Sequence, residues 1–522
     1  MQQACIISNL SLVFPTQDMF NQLNFVLNSG QVSALIGRNG LGKSLLFHIL
    51  RLQQQSNLAY SGQITWHIQH DYLAQLQRLE AETIAQALEI GHLYSAFQRI
   101  EENIASFEDY DLVENAWDLP QKWQQILHNA QLPTDLSYPI QHLSEGQKTK
   151  LALCRLFLKP DHYLLLDEPS NHLDIQSRQW LKDSILVHPA GVCLISHDRQ
   201  LLDQVQHIYA LTELGLQHIK GNYTDYIHQH QQQINALTQS IQQEKRELKQ
   251  LKQQQHESLM KAQKRQRKGA QLRDSNSQAK ILLDFKKEHA GQSFGKLRAQ
   301  QLRQMDESQH DLEDKQTSLE KIKPQRFEFQ LHSTRQGEIL RINDLTLPYT
   351  TIQKIKFSLR AGEKIQLQGA NGVGKSTLLK MIAHHQTQEI FLNGACLYLD
   401  QNFSVLKDDL TVIENLAMFN PQIADVEWRK LLGQLRIRRE KALLKLGQLS
   451  GGEKLKVALL AISQAANGVD LLLLDEPENH LDIESRTLLA QAIEQFKGAV
   501  ILVSHDAFFV EECGINEAYL LC

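Results

Sequence analysis

Residues 35–44 read LIGRNGLGKS, and residues 367–376 read LQGANGVGKS. Both match the pattern G-x-x-x-x-G-K-[ST], and each stands between a strand-like apolar segment and a helix-like one. In that context the glycines let backbone N–H groups wrap a phosphate chain, and the helix N-terminus adds positive potential. Each stretch therefore predicts a strand, a phosphate-binding loop and a helix, which together begin an α/β domain.

Three further motifs recur in the same order after each loop. They are HLSEGQKTKLAL (142–153) and QLSGGEKLKVAL (448–459), YLLLDEPSNHLDI (163–175) and LLLLDEPENHLDI (471–483), and LISHD (194–198) and LVSHD (502–506). The step from Asp167 to His197 is 30 residues, and so is the step from Asp475 to His505. Repeated motifs at such spacing indicate two copies of one domain. We expect the copies to span 1–224 and 326–522.

The first copy is longer than the second at one place. Gln75 and Ser144 are 69 residues apart, whereas Gln401 and Ser450 are 49 residues apart. The first copy therefore carries about 20 additional residues, within about 80–125. Helical apolar spacing there predicts one or two short added helices.

The segment 225–325 has a different composition from the two copies. Gln and Lys dominate it, and apolar residues follow heptad steps in two series, one through Ile234 and Ile241 and one through Met305 and Leu312. Two such series around the polar stretch GAQLRDSNSQ favour an antiparallel coiled-coil hairpin. About 30 residues per helix would reach roughly 45 Å. The alternative is one amphipathic helix lying on a domain surface.

This linker is basic although the chain is slightly acidic. Residues 241–300 hold 15 Lys and Arg against 6 Asp and Glu, whereas the whole chain has a net charge of −5. The run KAQKRQRKGAQLR (261–273) holds six of these bases and no acid. A basic tip on an acidic chain is typical of a nucleic-acid contact made by one element. The alternative is a solvated helix face.

Composition argues against several protein classes. No apolar run approaches the roughly 18–20 residues of a membrane span, and the N-terminal stretch MQQACIISNL lacks a signal-peptide pattern. The six cysteines are scattered without a C-x-x-C pair, which argues against a zinc site, an iron–sulfur cluster or a disulfide framework. We expect a cytoplasmic protein.

The repeated motifs predict a phosphate-transfer chemistry in each copy. Lys43 and Lys375 would reach the terminal phosphates of a nucleotide. Mg²⁺ would be held by a hydroxyl and a carboxylate in each copy: Ser44 and Asp167, and Ser376 and Asp475. Glu168 and Glu476 follow those carboxylates and would polarise the attacking water as general bases.

The full motif set resembles the ATP-binding cassette (ABC) superfamily over both domains. The resemblance implies ATP and Mg²⁺ as ligands, roles for His197 and His505 in catalysis, and head-to-tail pairing of the two cassettes, so that each site is completed by the other cassette's signature serine. The implied nucleotide-binding residues are Gly37, Arg38, Asn39, Gly40, Leu41, Gly42, Lys43, Ser44 and Gln75 with Ser450, Gly451 and Gly452, and Gly369, Ala370, Asn371, Gly372, Val373, Gly374, Lys375, Ser376, Thr377 and Gln401 with Ser144 and Gly146.

Two points in the motifs stay open. Glu145 stands where the family usually has glycine, and a carboxylate near a phosphate is unfavourable unless it points away. Phe14 and Tyr349 precede the phosphate-binding loops by a spacing that suits stacking on adenine. Packing in the core is an equal alternative for both aromatic residues.

Within the superfamily the chain resembles the ABC-F translational ATPases most. Both carboxylate motifs continue as NHLD (171–174 and 479–482), and GNYTDY (221–226) resembles the family's exit into its linker. The alternatives are a twin-cassette subunit of a membrane transporter and a DNA-associated ABC ATPase. The ABC-F resemblance implies a monomer without a membrane domain.

The same resemblance implies that the chain binds the ribosome in the ATP-closed state. The linker would then act on tRNA or the peptidyl-transferase region, either as a translation factor or in protection of the ribosome from an antibiotic. Five basic residues of the tip would face rRNA or tRNA: Lys261, Lys264, Arg265, Arg267 and Lys268.

Overall fold

The computed structural model describes the chain apart from residues 1, 15–16, 54–57, 75–80, 172, 275–279, 324–335, 349–353, 371, 385–386, 438, 467, 480 and 522. At residues 17–18, 175, 262–263, 265–266, 268–298, 301, 321 and 439 it describes the backbone and not the side chains. The chain divides into two compact units. One comprises Met1–Tyr223 with Gln325–Cys522, and the other comprises Thr224–Pro324.

The first cassette is built on two sheets. Its strands are β1 (Gln3–Phe14), β2 (Gln17–Asn28), β3 (Val32–Gly37), β4 (Tyr60–Trp66), β5 (His70–Leu73), β6 (Tyr163–Asp167), β7 (Val192–Ile195), β8 (His207–Thr212) and β9 (Gly215–Lys220). The larger sheet has the order β5-β6-β7-β3-β8-β9. Its first five strands run parallel, and β9 closes it as an antiparallel edge. The antiparallel sheet β2-β1-β4 is the smaller one.

The second cassette repeats this plan. Its strands are β10 (Glu338–Leu345), β11 (Ile355–Arg360), β12 (Lys364–Gln368), β13 (Ile390–Leu392), β14 (Cys396–Leu399), β15 (Leu471–Asp475), β16 (Ala499–Val503) and β17 (Glu517–Leu520). The parallel sheet has the order β14-β15-β16-β12-β17, which matches the first five positions of its counterpart. The antiparallel sheet is β11-β10-β13. The predicted fold class of two repeated α/β cassettes is therefore confirmed.

Helices cover the parallel sheets. Those of the first cassette are α1 (Lys43–Leu52), α2 (Ile84–Ala87), α3 (Gly91–Glu101), α4 (Phe107–Val113), α5 (Leu119–Asn129), α6 (Glu145–Phe157), α7 (Ile175–Leu186) and α8 (Arg199–Leu202). Those of the linker and second cassette are α9 (Tyr223–Asp274), α10 (Lys280–Ile322), α11 (Lys375–Ala383), α12 (Val412–Phe419), α13 (Asp425–Gln434), α14 (Gly451–Ser463), α15 (Ile483–Gln495) and α16 (Ala507–Glu512). The 3₁₀ turns are Ile140–His142, Arg439–Leu443 and Leu446–Gln448.

The additional length of the first cassette forms helices α3 and α4. The N-cap threonines Thr83 and Thr411 begin the equivalent helices α2 and α12, and α5 corresponds to α13. Helices α3 and α4 therefore stand between two helices that both cassettes share. Arg99 of α3 pairs with Asp109 of α4, which closes this small helical insertion.

The apolar runs of the sequence form the centres of the parallel sheets. Strands β6, β7, β15 and β16 are buried at every position, as expected for parallel strands covered on both faces. Their carboxyl ends lie at one edge of each sheet, where ligands of open α/β sheets bind. This edge carries the phosphate-binding loop after β3 or β12 and the Asp-Glu pair after β6 or β15.

The linker forms a unit of two long helices. Lys315 of α10 donates to Ser240 Oγ of α9 at 3.2 Å and pairs with Glu244. Because these residues lie at similar sequence distances from the end of α9 and the start of α10, the helices run antiparallel. The helices have 52 and 43 residues, longer than the expected 30, since the helical run continues beyond the heptad series toward the tip.

Candidate functional site

Each phosphate-binding loop ends on a glycine that its backbone conformation favours. Gly42 has φ of 88° and Gly374 has φ of 106°, and each caps the following helix. A left-handed φ of this size suits glycine, which has no Cβ. The helices α1 and α11 therefore begin directly at Lys43 and Lys375.

The two lysines are held by their own loops. Lys43 Nζ donates to the carbonyl oxygens of Gly37 at 2.7 Å and Arg38 at 3.1 Å. Lys375 Nζ makes the same pair of bonds to Gly369 at 2.8 Å and Ala370 at 3.1 Å. Both ammonium groups thus lie within the curve of the loop that would surround a phosphate chain.

The signature serines cap the helices α6 and α14. Ser144 accepts from the Gln147 backbone N–H at 3.3 Å, and Ser450 accepts from that of Glu453 at 3.4 Å. Both form capping boxes, with the Gln147 or Glu453 side chain returning to the serine N–H. The first N–H groups of a helix have no partner within the helix, so these helix starts favour an anion in front of them.

Two cavities bring the loop of one cassette together with the signature of the other. The first, here called site 1, has a volume of about 340 Å³. The cavity is lined by several of the site residues predicted from the sequence: Asn39, Gly40, Gly42, Lys43, Ser44, Asp167, Glu168 and His197, with Ser450 from the second cassette. The cassettes therefore pair head to tail.

The second cavity, site 2, repeats the arrangement with about 470 Å³. It is lined by several of the site residues predicted from the sequence: Gly372, Gly374, Lys375, Ser376, Thr377, Glu476 and His505, with Ser144 and Gly146 from the first cassette.

The other predicted nucleotide residues fall into two groups. Among the described residues, nine do not line either cavity, and eight of them are Gly37, Arg38, Leu41, Gly369, Ala370, Val373, Gly451 and Gly452. Gln401 is outside the cavity lining but donates to the Glu476 carboxylate at 2.8 Å. Gln75 and Asn371 lie outside the described residues.

The two proposed base carboxylates share an unusual backbone geometry. Glu168 has φ of 50° and Glu476 has φ of 47°, a region that costs a non-glycine residue energy. The Glu168 N–H donates to Ile195 O at 2.9 Å, and the Glu476 N–H donates to Val503 O at 2.9 Å. The neighbouring strand thus holds each glutamate in place at the end of the buried strand.

The electrostatic settings of the two glutamates differ. Burial raises the pKa of Glu168 to about 8, and the nearby Lys43 opposes that shift. For Glu476 the neighbouring His505 is the largest influence and lowers its pKa, assisted by Asn479. Asn479 Nδ2 donates to Glu476 Oε2 at 2.7 Å. Glu168 and Glu476, which occupy equivalent positions in the two cassettes, therefore lie in different electrostatic environments.

The histidines contact these glutamates in both sites. His197 Nε2 lies 3.2 Å from Glu168 Oε1, and His505 Nε2 lies 3.4 Å from Glu476 Oε1. Burial lowers the pKa of His197 to about 3. His197 is therefore neutral near pH 7.

The residues predicted to hold Mg²⁺ fit a hard cation in the first cassette. The Ser44 hydroxyl bonds to the Asp167 carboxylate, whose pKa is raised mainly by burial. Asp167 Oδ1 is buried without a hydrogen-bond partner among the described residues. A hydroxyl and a carboxylate oxygen are ligands that Mg²⁺ prefers, so this orphaned oxygen fits a cation.

Two tyrosines at these sites were not singled out from the sequence. Tyr398 donates its hydroxyl to Asp475 Oδ2 at 2.9 Å, and Tyr72 donates to Asp167 Oδ2 at 3.4 Å. A signal was present, because each tyrosine stands three residues before the glutamine of its copy, Gln75 or Gln401.

Several contacts between the cassettes lie around site 1. The Asn39 N–H donates to Asp482 Oδ2 at 2.8 Å, and Arg38 pairs with Glu484. Arg486 donates to the His197 carbonyl oxygen at 3.2 Å. Farther out, Arg199 pairs with Glu512 and donates to Thr487 at 3.4 Å.

The structure shows the surroundings of Glu145 and Phe14, whose roles the sequence left open. Glu145 pairs with Lys148 at 2.8 Å and its side chain is 78% exposed, so the carboxylate is neutralised locally and largely solvated. Phe14 packs, partly buried, against the core of the first cassette, which is the packing alternative. Tyr349 lies outside the described residues.

The predicted nucleic-acid residues lie in the separate linker unit. Lys261, Lys264 and Arg267 are exposed on α9. The side chains of Arg265 and Lys268 lie outside the described residues. The three described residues are thus accessible within their own unit.

Comparison with known proteins gives matches to both cassettes. A family model described as "ABC transporter" matches residues 20–171 and 352–479. The putative ATP-binding protein YdiF of Bacillus subtilis is 29% identical, with 97% of this chain and 78% of the relative covered. ABC transporter F family member 2 of Arabidopsis thaliana is 26% identical, with 97% and 75% covered. The F-family relative confirms the resemblance to the ABC-F family.

A solved structure supports the same fold. A chain in the crystal structure of the complex of archaeal ribosomal stalk protein aP1 and archaeal ribosome recycling factor aABCE1 is 18% identical, with a TM-score of 0.52. The match covers 98% of this chain and 87% of that one. Within the described part of the chain, no helix combines the length and apolarity needed to cross a membrane.

Proposed function

Because this chain belongs to the ABC transporter family and is an ATPase with two cassettes, we propose that it binds the ribosome in its ATP-closed state. The basic linker would then act on tRNA or the peptidyl-transferase region. The observation that carries the closure is the head-to-tail pairing, in which Ser450 lines the cavity of Lys43 and Ser144 lines that of Lys375.

Each type of residue near the phosphates has a separate role in the proposed hydrolysis of ATP. Lys43 and Lys375 exchange their loop carbonyls for the terminal phosphates, which offer charge-assisted hydrogen bonds. Glu168 and Glu476 accept a proton from the attacking water. His197 and His505, which already contact those glutamates, orient the carboxylate and donate toward the terminal phosphate.

Mg²⁺ would be held in site 1 by Ser44 and Asp167, and by Ser376 and Asp475 in site 2. When bound, it supplies positive charge to the phosphate oxygens and so stabilises the transition state. The protein contributes the fixed carboxylate and hydroxyl. The other residues of the site act directly on water or on the nucleotide.

Closure follows from the shared construction of the sites. A phosphate chain on one cassette presents its terminal negative charge to the helix start at Ser450 or Ser144 of the other cassette. That contact exists only when the cassettes are together, so ATP binding shifts the population toward the closed pair. Hydrolysis and phosphate loss remove the shared anion and weaken the closed state.

The ribosome as partner is supported by charge and by similar proteins. Lys261, Lys264 and Arg267 form a basic surface on α9 that suits RNA phosphates. ABC-F relatives match nearly the full length of this chain. Structures with the same fold include a model of ribosome-bound archaeal Pelota and ABCE1. A cytoplasmic monomer with this basic linker is the form that we propose.

The test is sedimentation of the Glu168→Gln/Glu476→Gln variant with ribosomes through a sucrose gradient, with and without ATP. We expect co-sedimentation only with ATP, because the variant closes but hydrolyses slowly. Absence from the ribosome fraction in both gradients would contradict the proposal and leave a membrane or DNA partner. Binding without ATP would indicate only that a basic hairpin adheres to RNA.

The action on tRNA has its own test. Chemical probing of rRNA in the trapped complex should show protection near the peptidyl-transferase region, and removal of the linker tip charges should remove it. Protection confined to other rRNA regions would contradict the proposed action on tRNA or the peptidyl-transferase region. The proposal that the protein binds the ribosome would still stand. Growth with ribosome-directed antibiotics then separates a resistance role from general translation.

A further inference from the structure

The tyrosine–aspartate pairs at the two sites occupy the same position in both sheets. Tyr72 lies opposite Leu165 in the β5–β6 pairing, and Tyr398 lies opposite Leu473 in the β14–β15 pairing. In each case the aspartate is two residues farther along the buried strand. The identical register brings each hydroxyl to one oxygen of the carboxylate, and the arrangement occurs twice in one chain.

Both phenols are fixed by their surroundings. The Tyr72 ring packs edge-on against Phe47 with centroids 6.5 Å apart, and the Arg51 guanidinium lies 5.5 Å from its centroid. Tyr398 packs, partly buried, against the core of the second cassette. A tyrosine hydroxyl carries a proton that it can donate to a carboxylate oxygen, and both hydroxyls lie within hydrogen-bond distance of the aspartate.

The bond leaves the two carboxylate oxygens in different situations. In the first cassette Tyr72 donates to Asp167 Oδ2, while Asp167 Oδ1 has no partner among the described residues. When one oxygen of an aspartate carboxylate accepts a hydrogen bond, the orientation of the carboxylate about its Cβ–Cγ bond is fixed. The other oxygen is then presented for a cation, as outer-shell partners do for metal ligands.

We infer that Tyr72 and Tyr398 are positioning residues that orient the Asp167 and Asp475 carboxylates for the Mg²⁺–nucleotide complex. The inference rests on the proposed metal role of these aspartates. It extends that proposal to a second layer of each site and predicts a dependence on Mg²⁺ that a packing role would not produce. The effect should be larger for Tyr398, whose hydrogen bond is shorter.

The experiment compares Tyr72→Phe and Tyr398→Phe with wild type, because each change removes one hydroxyl and keeps the ring. Affinity for a fluorescent ATP analogue is measured with Mg²⁺ and with EDTA. We expect about 10-fold weaker binding with Mg²⁺ and unchanged binding with EDTA. The Mg²⁺ concentration for half-maximal ATPase activity should rise, and excess Mg²⁺ should restore part of the rate.

Tyr209→Phe is the matched control, because its hydroxyl donates to the Val26 carbonyl oxygen within the same cassette and away from the carboxylate. It should leave the Mg²⁺ dependence unchanged. Equal loss of affinity with and without Mg²⁺, or no loss at all, in the Tyr72→Phe and Tyr398→Phe variants would overturn the inference. If wild-type binding is itself independent of Mg²⁺, the metal assignment fails instead.

Discussion

The backbone N–H of Asn39 in the first cassette donates to the carboxylate of Asp482 in the second at 2.8 Å. Asp482 is buried, whereas its repeat counterpart Asp174 is exposed. The same half of the interface holds the Arg38–Glu484 pair, whose repeat counterparts are Ala370 and Gln176. The halves of the interface therefore differ in sequence as well as in geometry.

The Arg199–Glu512 pair should contribute to the stability of the paired cassettes. Both side chains are largely buried, at 22% and 30% exposed. A double-mutant cycle with Arg199→Ala and Glu512→Ala should give a coupling free energy of about 0.5–1 kcal/mol. Denaturant unfolding measures it. Gln204→Ala, at the repeat counterpart of Glu512, is the control and should change stability by less than about 0.5 kcal/mol. Strictly additive effects of the two substitutions would contradict this ion pair.

Loss of both base carboxylates should separate ATP binding from hydrolysis. The Glu168→Gln/Glu476→Gln variant keeps the size of the side chains and removes the proton acceptor. We expect hydrolysis to slow by about 10²–10⁴-fold, with ATP affinity unchanged. Phosphate release and nucleotide binding measured on one preparation decide the matter. Normal turnover would show that neither glutamate is the base.

The two sites should differ in their pH dependence. A base must be ionised to act, and the pKa of Glu168 is raised to about 8. In a Glu476→Gln variant, where site 1 alone turns over, the rate should therefore rise with pH up to about 8. It should fall about tenfold per pH unit below that pKa.

The pKa of Glu476 is lowered, chiefly by the neighbouring His505. A Glu168→Gln variant, where site 2 alone turns over, should therefore have a rate that varies little above pH 6. Steady-state ATPase rates between pH 6 and 9 compare the two variants. Superimposable profiles would contradict the difference between the sites.

Gly452 of the second signature is required by close packing. A Cβ at this position would lie 2.5 Å from Ser485 Oγ. Gly452→Ala should therefore lower the free energy of unfolding by about 1–3 kcal/mol, measured by denaturant titration. Gly433→Ala is the control, because a Cβ there meets nothing within 4 Å, and alanine favours the helix. Equal effects of the two substitutions would show that the contact with Ser485 is easily relieved.

The exposed bases of the linker tip should determine the salt dependence of RNA binding. Changing Lys261, Lys264 and Arg267 to Gln should reduce the slope of log affinity against log salt by about 0.7–0.9 for each RNA phosphate that is no longer neutralised. The variant with Lys245, Arg246 and Lys249 changed to Gln removes the same charge from exposed positions near the middle of α9. It should keep the wild-type slope. If both triple variants reduce the slope equally, the RNA interaction is not specific to the tip.

The sequence predicted the repeated local features well because each depends on neighbours along the chain. The glycines at Gly42 and Gly374, the capping serines and the buried strands before Asp167 and Asp475 are all specified by short motifs. The similar order of strands in the two sheets follows from the same repetition. The added helices α3 and α4 were predicted from the difference in motif spacing together with the helical spacing of the apolar residues there.

Features that depend on contacts between the cassettes were not predictable in this way. Arg38 belongs to the phosphate-binding pattern, yet its side chain pairs with Glu484, which is 446 residues away. The raised pKa of Glu168 depends on its burial in the folded protein, whereas the sequence shows the same Asp-Glu pair in both copies. Tyr72 and Tyr398 stand at the same spacing before the glutamine of each copy, but their contacts with the aspartates appear only once the strand register is known.

The covalent connection of the two cassettes through α9 and α10 has a consequence for symmetry. In a homodimer of identical cassettes with two-fold symmetry, every interface contact would occur twice. A change that stabilised one half would stabilise the other equally. In this chain the two copies can diverge separately, and pairs such as Arg38 with Glu484 and Arg199 with Glu512 exist once. Joining the copies thus allows two chemically similar sites to evolve different strengths of association within one molecule.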